Sequence, residues 1–275
     1  MRYMADADVL FDKDRQSDAE KALEGLGYRK YGESLCEVIY ENDNLHLELH
    51  KELIPPDIKE LYAYFKDPFA RALKVSGCEH HFSDDDHFIY IFVHFARHYR
   101  GGGIGLKHLC DLFVCKEKLT LNADYIEAEM EKLGLLSFYH NAMAACAAAF
   151  GEGEASEITD RILNTIFDSG AYGTAKNVRL SDSARRSGGG SARRAKTSRF
   201  LWSLFLPYKI MCIKYPFLRR APFLLPIMWV VRAVCSLFKG NSRAKAELRE
   251  LKGLTNDELK NYIEGLRLVG LSFDF

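Results

Sequence analysis

This 275-residue chain lacks several things, and each absence removes a class of protein. It has no excess charge of one sign: Lys+Arg and Asp+Glu both total 38, so the overall field names no nucleic acid or membrane partner. It has no Cys-x-x-Cys pair, and its seven cysteines cannot all close into disulfides, so they read as reduced cytosolic thiols. In the hydrophobic tail the uncharged stretch from Ala221 to Val231 is 11 residues long and interrupted by Pro222 and Pro226. A membrane-spanning helix needs about 20 apolar residues, so this one does not qualify. Internal repeats and nucleic-acid-reading modules, such as zinc fingers or RNA-binding aromatic motifs, are absent as well. Met1 leads straight into charged, strand-like sequence, so no signal peptide is expected and the expected compartment is the cytoplasm. At 48% hydrophobic residues the chain can still bury a sizeable core.

What the chain does have starts at Asp6-Ala7-Asp8. Residues two apart on a strand point the same way, so both carboxylates share one face while Ala5, Ala7, Val9 and Phe11 line the other. Adjacent carboxylates repel unless a cation lies between them, and a hard divalent ion such as Mg²⁺ (or Mn²⁺) answers that need. An exposed, merely solvated strand face is the plainer reading of the same pair. Ser17-Asp18-Ala19-Glu20 has the form of a capping box, Ala19, Ala22, Leu23 and Leu26 recur at helical spacing, and Gly27 supplies the stop. Strands are expected at Tyr28–Tyr31 and at Leu35–Glu41, with a turn at Asn42-Asp43-Asn44. Then Leu45-His46-Leu47-Glu48-Leu49-His50 alternates strictly, placing Glu48 on a polar face together with His46 and His50. Three carboxylates on neighbouring strands, Asp6, Asp8 and Glu48, would form the metal cradle of a phosphoryl-transfer site.

The order of these motifs resembles the uncharacterised bacterial nucleotidyltransferases of the DNA polymerase β superfamily. The resemblance runs from Arg2-x-Met4-x-Asp6-x-Asp8-x-Leu10 through Leu23-x-x-Leu26-Gly27-Tyr28 and Leu47-Glu48-Leu49-His50. It continues in Val93–Tyr99, Gly101–Lys107, Leu109–Leu112 and Leu133–Leu135, covering roughly residues 1 to 150. It implies an α+β fold, a small mixed β-sheet of the polymerase β-like nucleotidyltransferase type followed by a helical region and a mostly helical C-terminal extension. It also implies Asp6, Asp8 and Glu48 as metal ligands, Glu48 assisting deprotonation of the acceptor, and a nucleoside triphosphate as substrate. Enzymes of that superfamily place a helix and a Gly-containing phosphate loop before the Asp-x-Asp strand. This chain is expected to lack both, leaving Arg2 as the near upstream cation.

Further along, Ser83-Asp84-Asp85-Asp86 caps a helix running to Tyr99, on which His94 and His98 form an i, i+4 pair. That pair reads as packing or substrate contact in preference to metal ligation. Arg97, Arg100 and Lys107 flank the Gly101–Gly105 turn, and Arg97 and Lys107 with His94 and His98 are candidate contacts for triphosphate oxygens. The glycines fit a plain helix-to-helix turn equally well. From Lys176 to Arg220 there are twelve Lys/Arg against one acid, Asp182, with Gly188-Gly189-Gly190 near the centre. That composition reads as a flexible basic linker. The expected organisation is a core at 1–75, a helical domain at 76–175, the linker at 176–199 and a hydrophobic, then amphipathic, extension at 200–275. Within 200–238, Arg219-Arg220 and the tryptophans 202 and 229 suit either a helix packed on the protein or a contact with a membrane surface or a protein partner. Such a contact would place the protein at the periphery of the inner membrane face. The leading functional expectation is Mg²⁺-dependent transfer of a nucleoside monophosphate to an unknown hydroxyl or phosphate acceptor. The alternative is a non-catalytic binding or scaffold protein with a degenerate form of the fold.

Overall fold

The alternation in Leu45–His50 becomes the central strand of a mixed, four-stranded sheet. The computed structural model describes residues 7–43, 45–56, 58–151, 153–170, 173–187, 191–238 and 255–272. The strands are β1 (Ala7–Leu10), β2 (Arg29–Glu33), β3 (Glu37–Glu41) and β4 (His46–His50), in the order β1-β4-β3-β2. β1 runs parallel to β4, whereas β3 is antiparallel to both β4 and β2. Val38, Tyr40, Leu47 and Leu49 are buried on one face and covered by Ala19, Leu23 and Tyr28, with Ala7 and Phe11 alongside. Ala19 and Leu23 come from helix α1 (Gln16–Gly25), whose apolar residues fall at helical spacing. Gly27 turns the chain out of α1 at φ +83°, a conformation that favours glycine.

The expected capping box does not start this helix. Asp12 accepts a hydrogen bond from the Asp14 amide at 3.0 Å and closes a 3-10 turn at Lys13–Arg15, so α1 begins at Gln16, ahead of Ser17. Glu20 turns instead to Gln16 and to Lys30. A short helix, α2, follows at Lys59–Tyr64.

The chain divides into two compact units, Met1–Ala70 with Phe205–Cys235, and Arg71–Leu204 with Ser236–Phe275. The second unit opens with a hairpin that the sequence did not signal, β5 (Leu73–Ser76) and β6 (Glu79–His81), and is otherwise helical. Its elements are α3 (Asp84–Gly101), α4 (Leu106–Lys118), α5 (Ala123–Lys132), α6 (Leu136–Ala149) and α7 (Glu157–Ser169). They are followed by α8 (Ala175–Ser187) and α9 (Ala192–Leu204). Ser83 caps α3 as expected, accepting from the Asp86 amide, while Asp84 and Asp85 accept from the Thr120 and Asn122 amides of the α4–α5 loop. Phe88, Ile89, Phe92, Val93, Phe95, Ala96 and Tyr99 are buried along one face of α3. Phe138 of α6 stacks on that face, with ring centroids 5.9 Å from both Phe92 and Phe95. Ala142, Ala145 and Cys146 give α6 its small buried face.

The segment expected to be a flexible linker is a helix pair, α8 and α9, with 188–190 outside the described residues. Two facts overturn that expectation. Small residues of both helices, Ala184 on α8 and Ala192 and Ala195 on α9, are fully or almost fully buried, and Leu259 and Ile263 of helix α12 (Asn256–Leu268) pack on Ala184. The lone acid Asp182 also pairs with Arg185, Arg186 and Arg199, so one carboxylate offsets three guanidiniums. Thr255 caps α12 with Glu258 in a reciprocal box. The preceding half of the amphipathic tail, 239–254, lies outside the described residues.

The Gly101–Gly105 turn is explained by contact. Gly103 sits at φ +101°, and a Cβ there would come within 2.1 Å of Ser169 Oγ. Gly173 reaches back so closely that its own Cβ would lie 2.5 Å from the Gly102 carbonyl, and Thr174 donates to that carbonyl at 3.0 Å. Gly103→Ala is therefore expected to destabilise the protein by about 3 kcal/mol, combining backbone strain with overpacking. Urea unfolding followed by circular dichroism measures this; a change within about 0.5 kcal/mol, the range of ordinary surface substitutions, would refute the packing account.

Candidate functional site

The second face of the four-stranded sheet gathers the chemistry. In the parallel ladder Asp8 lies opposite Glu48, and in the antiparallel ladder Glu48 lies opposite Ile39, His50 opposite Glu37 and His46 opposite Glu41. All of these residues except Ile39 are acids or histidines, on the face away from the Leu47–Leu49 core. His50 Nε2 is 2.8 Å from Asp8 Oδ1 and 3.7 Å from Glu48 Oε2, and its Nδ1 is 4.0 Å from Glu37 Oε2. His46 Nδ1 shares a 2.8 Å hydrogen bond with Glu41, and its Nε2 is 3.4 Å from Glu48 Oε1. Ligand atoms of Asp8, Glu48 and His50 all lie within 4.8 Å of one another, close enough to hold one ion.

The electrostatics follow from this crowding of acids. Burial alone would pull the His50 pKa down, yet the hydrogen bond to Asp8 and the charges of Asp8, Glu37 and Glu48 leave it raised above the usual 6.5. His46 is raised above 6.5 as well, chiefly by its hydrogen bond to Glu41. At the Tyr31 end of the sheet, whose ring meets that of His46 with centroids 6.4 Å apart, there is an open groove of about 340 Å³. Arg29, Lys30, Tyr31, Glu41 and Asn42 line it.

Of the residues expected from sequence, Asp8 and Glu48 are brought together by strand register. Asp6 and Arg2 lie outside the described residues. Arg97, His94 and His98 are on α3 and Lys107 is on α4, all in the second unit. There Arg97, His94 and His98 form a group of their own. Arg97 reaches His98 Nε2 at 3.3 Å, and His108 of α4 completes a histidine trio, with ring centroids 6.0 Å from His94 and 6.1 Å from His98. Sequence reasoning missed His50, Glu37 and His108. The signal for His50 was present in the alternation of β4, which puts it on the Glu48 face. Glu37 and His108 enter only through strand pairing and helix packing.

The family model described as "Uncharacterised nucleotidyltransferase" matches residues 1–151, which takes in the whole of this sheet. The chain belongs to that family. No curated protein and no solved structure matches it.

A second charge cluster locks the opposite edge of the sheet. Glu33 of β2 bonds Lys30 at 2.7 Å and Lys51, just past β4, at 2.5 Å. Burial would raise the Glu33 pKa, but the two lysines override it and hold it at about 2, below the usual 4.5. A depressed carboxyl contributes stability above its unfolded pKa and loses it as pH falls through the folded value. Glu33→Gln is thus expected to cost about 1 kcal/mol at neutral pH, allowing for solvent screening. That cost should shrink as pH is lowered from 4.5 towards 2. Urea midpoints of both proteins across this range provide the check, and a cost that stays constant with pH would rule the account out.

Proposed function

We propose that the chain is a metal-dependent nucleotidyltransferase, moving a nucleoside monophosphate from a nucleoside triphosphate to a hydroxyl or phosphate acceptor and releasing pyrophosphate. The observation that carries this reading is the Asp8–Glu48 pairing on adjacent parallel strands, within a chain of the nucleotidyltransferase family. Asp8 and Glu48, with Asp6 two residues upstream, would hold Mg²⁺ or Mn²⁺; such an ion, when bound, neutralises charge on the transferring phosphoryl group. Glu48 is half-buried on the central strand, fixed by ladders on both sides, and so is suited to orient the acceptor and take its proton on a carboxylate oxygen. The new bond runs from acceptor oxygen to the α-phosphorus, and the bond to pyrophosphate breaks.

The direct experiment incubates the purified protein with each labelled triphosphate, Mg²⁺ or Mn²⁺ and a panel of acceptors, and follows pyrophosphate release. Asp8→Asn and Glu48→Gln are each expected to lower the rate about 100-fold or more, the scale of losing metal-borne charge stabilisation. Turnover by Asp8→Asn equal to that of the parent sinks the proposal and leaves the scaffold reading. Arg97→Ala with Lys107→Ala tests the second unit separately: unchanged nucleotide affinity in that double variant removes those residues from recognition.

A second role is favoured by the surface of the C-terminal helices. In this region α10 (Tyr208–Lys214) and the start of α11 (Leu225–Phe238) pack around Met211, Cys212 and Leu218. Trp229 turns inward and donates to the Leu206 carbonyl at 2.9 Å. The opposite side of α11 stays uncovered, with Ile227 58%, Val230 63% and Val234 44% exposed at helical spacing, and Phe223 77% exposed just before it. Lys209, Lys214, Arg219 and Arg220 are exposed in the same segment. No helix among the described residues is long and apolar enough to cross a membrane. Apolar side chains beside cations suit docking onto an anionic membrane surface at the cytoplasmic side. The protein is expected to co-sediment with vesicles containing phosphatidylglycerol, more weakly with neutral vesicles, and to lose binding on Phe223→Glu with Val230→Glu. Absence of binding to the anionic vesicles dismisses this role.

A further inference from the structure

We infer that His50 is itself a ligand of the catalytic ion, held by Glu37, so that the site is a mixed nitrogen–oxygen one that selects Mn²⁺ over Mg²⁺. The inference rests on the nucleotidyltransferase reading of this face. It departs from an all-carboxylate cradle through a residue that the sequence placed on the correct face but gave no role.

Geometry supplies the first half of the argument. His50 follows Glu48 by two residues on β4, so both side chains rise from the same face, and Asp8 faces Glu48 across the parallel ladder. Nε2 of His50 reaches towards both carboxylates, 2.8 Å from Asp8 Oδ1 and 3.7 Å from Glu48 Oε2. An octahedral ion with bonds of about 2.1 Å sets neighbouring donors about 3 Å apart and opposite donors about 4.2 Å apart. The 4.8 Å envelope of the three donor atoms therefore closes onto one ion with small side-chain rotations.

The other ring nitrogen supplies the second half. Nδ1 of His50 points towards Glu37 Oε2 at 4.0 Å, from the residue directly paired with it in the β3–β4 ladder. Proteins orient a metal-binding imidazole by a hydrogen bond from its other ring nitrogen to a carboxylate, and Glu37 is placed to accept one once the 4.0 Å gap closes by about 1 Å. Ligand chemistry then decides which ion. Mg²⁺ demands oxygen and keeps its waters, whereas imidazole is a good donor for Mn²⁺ and the later first-row ions.

A competing role has the opposite consequence. If His50 were simply the cation that neutralises the two acids, removing it would free them and both metals would bind more tightly. If it is a ligand, removing it weakens Mn²⁺ and spares Mg²⁺.

The test titrates the full-length protein with Mn²⁺, following loss of the free aquo-ion signal by electron paramagnetic resonance, and with Mg²⁺ by competition. His50→Asn is expected to weaken Mn²⁺ about 10- to 100-fold, and Glu37→Gln about tenfold, the range for losing a ligand's support. The Mg²⁺ constant should move less than threefold in both, so the Mn²⁺ preference falls at least about threefold. In parallel, electron spin-echo spectra of wild-type Mn²⁺ protein should show ¹⁴N modulation that persists in His46→Gln and disappears in His50→Asn. An unchanged or tighter Mn²⁺ constant in His50→Asn overturns the inference, and so does a wild-type spectrum without ¹⁴N modulation, which needs no variant to fold. Wild-type protein that binds neither ion overturns this inference together with the metal-dependent function. Binding that Asp8→Asn abolishes and His50→Asn leaves intact removes only the inference.

Discussion

The register of β4 is the constraint on which the first unit depends. Leu47 and Leu49 must face α1 to bury apolar surface, and the two-residue period then forces His46, Glu48 and His50 onto the other side. Core and site are two readings of one alternation. A slip of one residue would bury Glu48 and expose the leucines, losing both at once. Pairing spreads the constraint outward: β1 in register brings Asp8 to Glu48, and β3 in register brings Glu37 to His50 and Glu41 to His46. Hydrophobic burial, at roughly 25 cal/mol per Å² of apolar surface, supplies the free energy that holds several like charges side by side. The lysines at Glu33 remove the same repulsion at the far edge of the sheet.

In the second unit the corresponding constraint is close approach. Gly102, Gly103 and Gly173 let the α3–α4 turn and the chain beyond α7 touch backbone to backbone, leaving no room for a Cβ. Asp84 and Asp85 then tie the α4–α5 loop to the start of α3, and Asp182 draws three arginines into a helix pair that charge repulsion alone would push apart. Each acid acts where helix ends or cations crowd together. A chain with no net charge thus spends its acids locally: on a polar sheet face, on a helix N-terminus, and at the centre of a basic helix pair.

How much of this could be read in the sequence depends on how far the deciding interaction lies along the chain. β4, the Ser83 cap and the Gly27 stop were legible because each is set by neighbours within a few residues. Glu48 facing Asp8 was legible too, since two periodic strands in one sheet leave few alternatives. The helix pair at 175–204 was not legible: an excess of arginine looks like a solvated linker until Asp182 meets Arg199, 17 residues away, and Ala184 meets Leu259. The β5–β6 hairpin escaped because Leu73 and Val75 are exposed, so no buried pattern marks the strands. Glu37 escaped because an acid at a strand start carries no signal until its partner strand is known.

The position of the carboxylates within the sheet also bears on how they could work. Glu48 and His50 stand on β4, clamped between β1 and β3, where ladders on both sides limit movement. Asp8 stands on β1, the outer strand of the order, and its side chain is 62% exposed against 23% for Glu48 and 20% for His50. One acid is therefore open to solvent while its partners are fixed from behind. A site built this way keeps its geometry on the central strand and its access on the edge. That division follows from where alternation and pairing put each residue, since an edge strand leaves one side of its carboxylate to the solvent and a central strand leaves none.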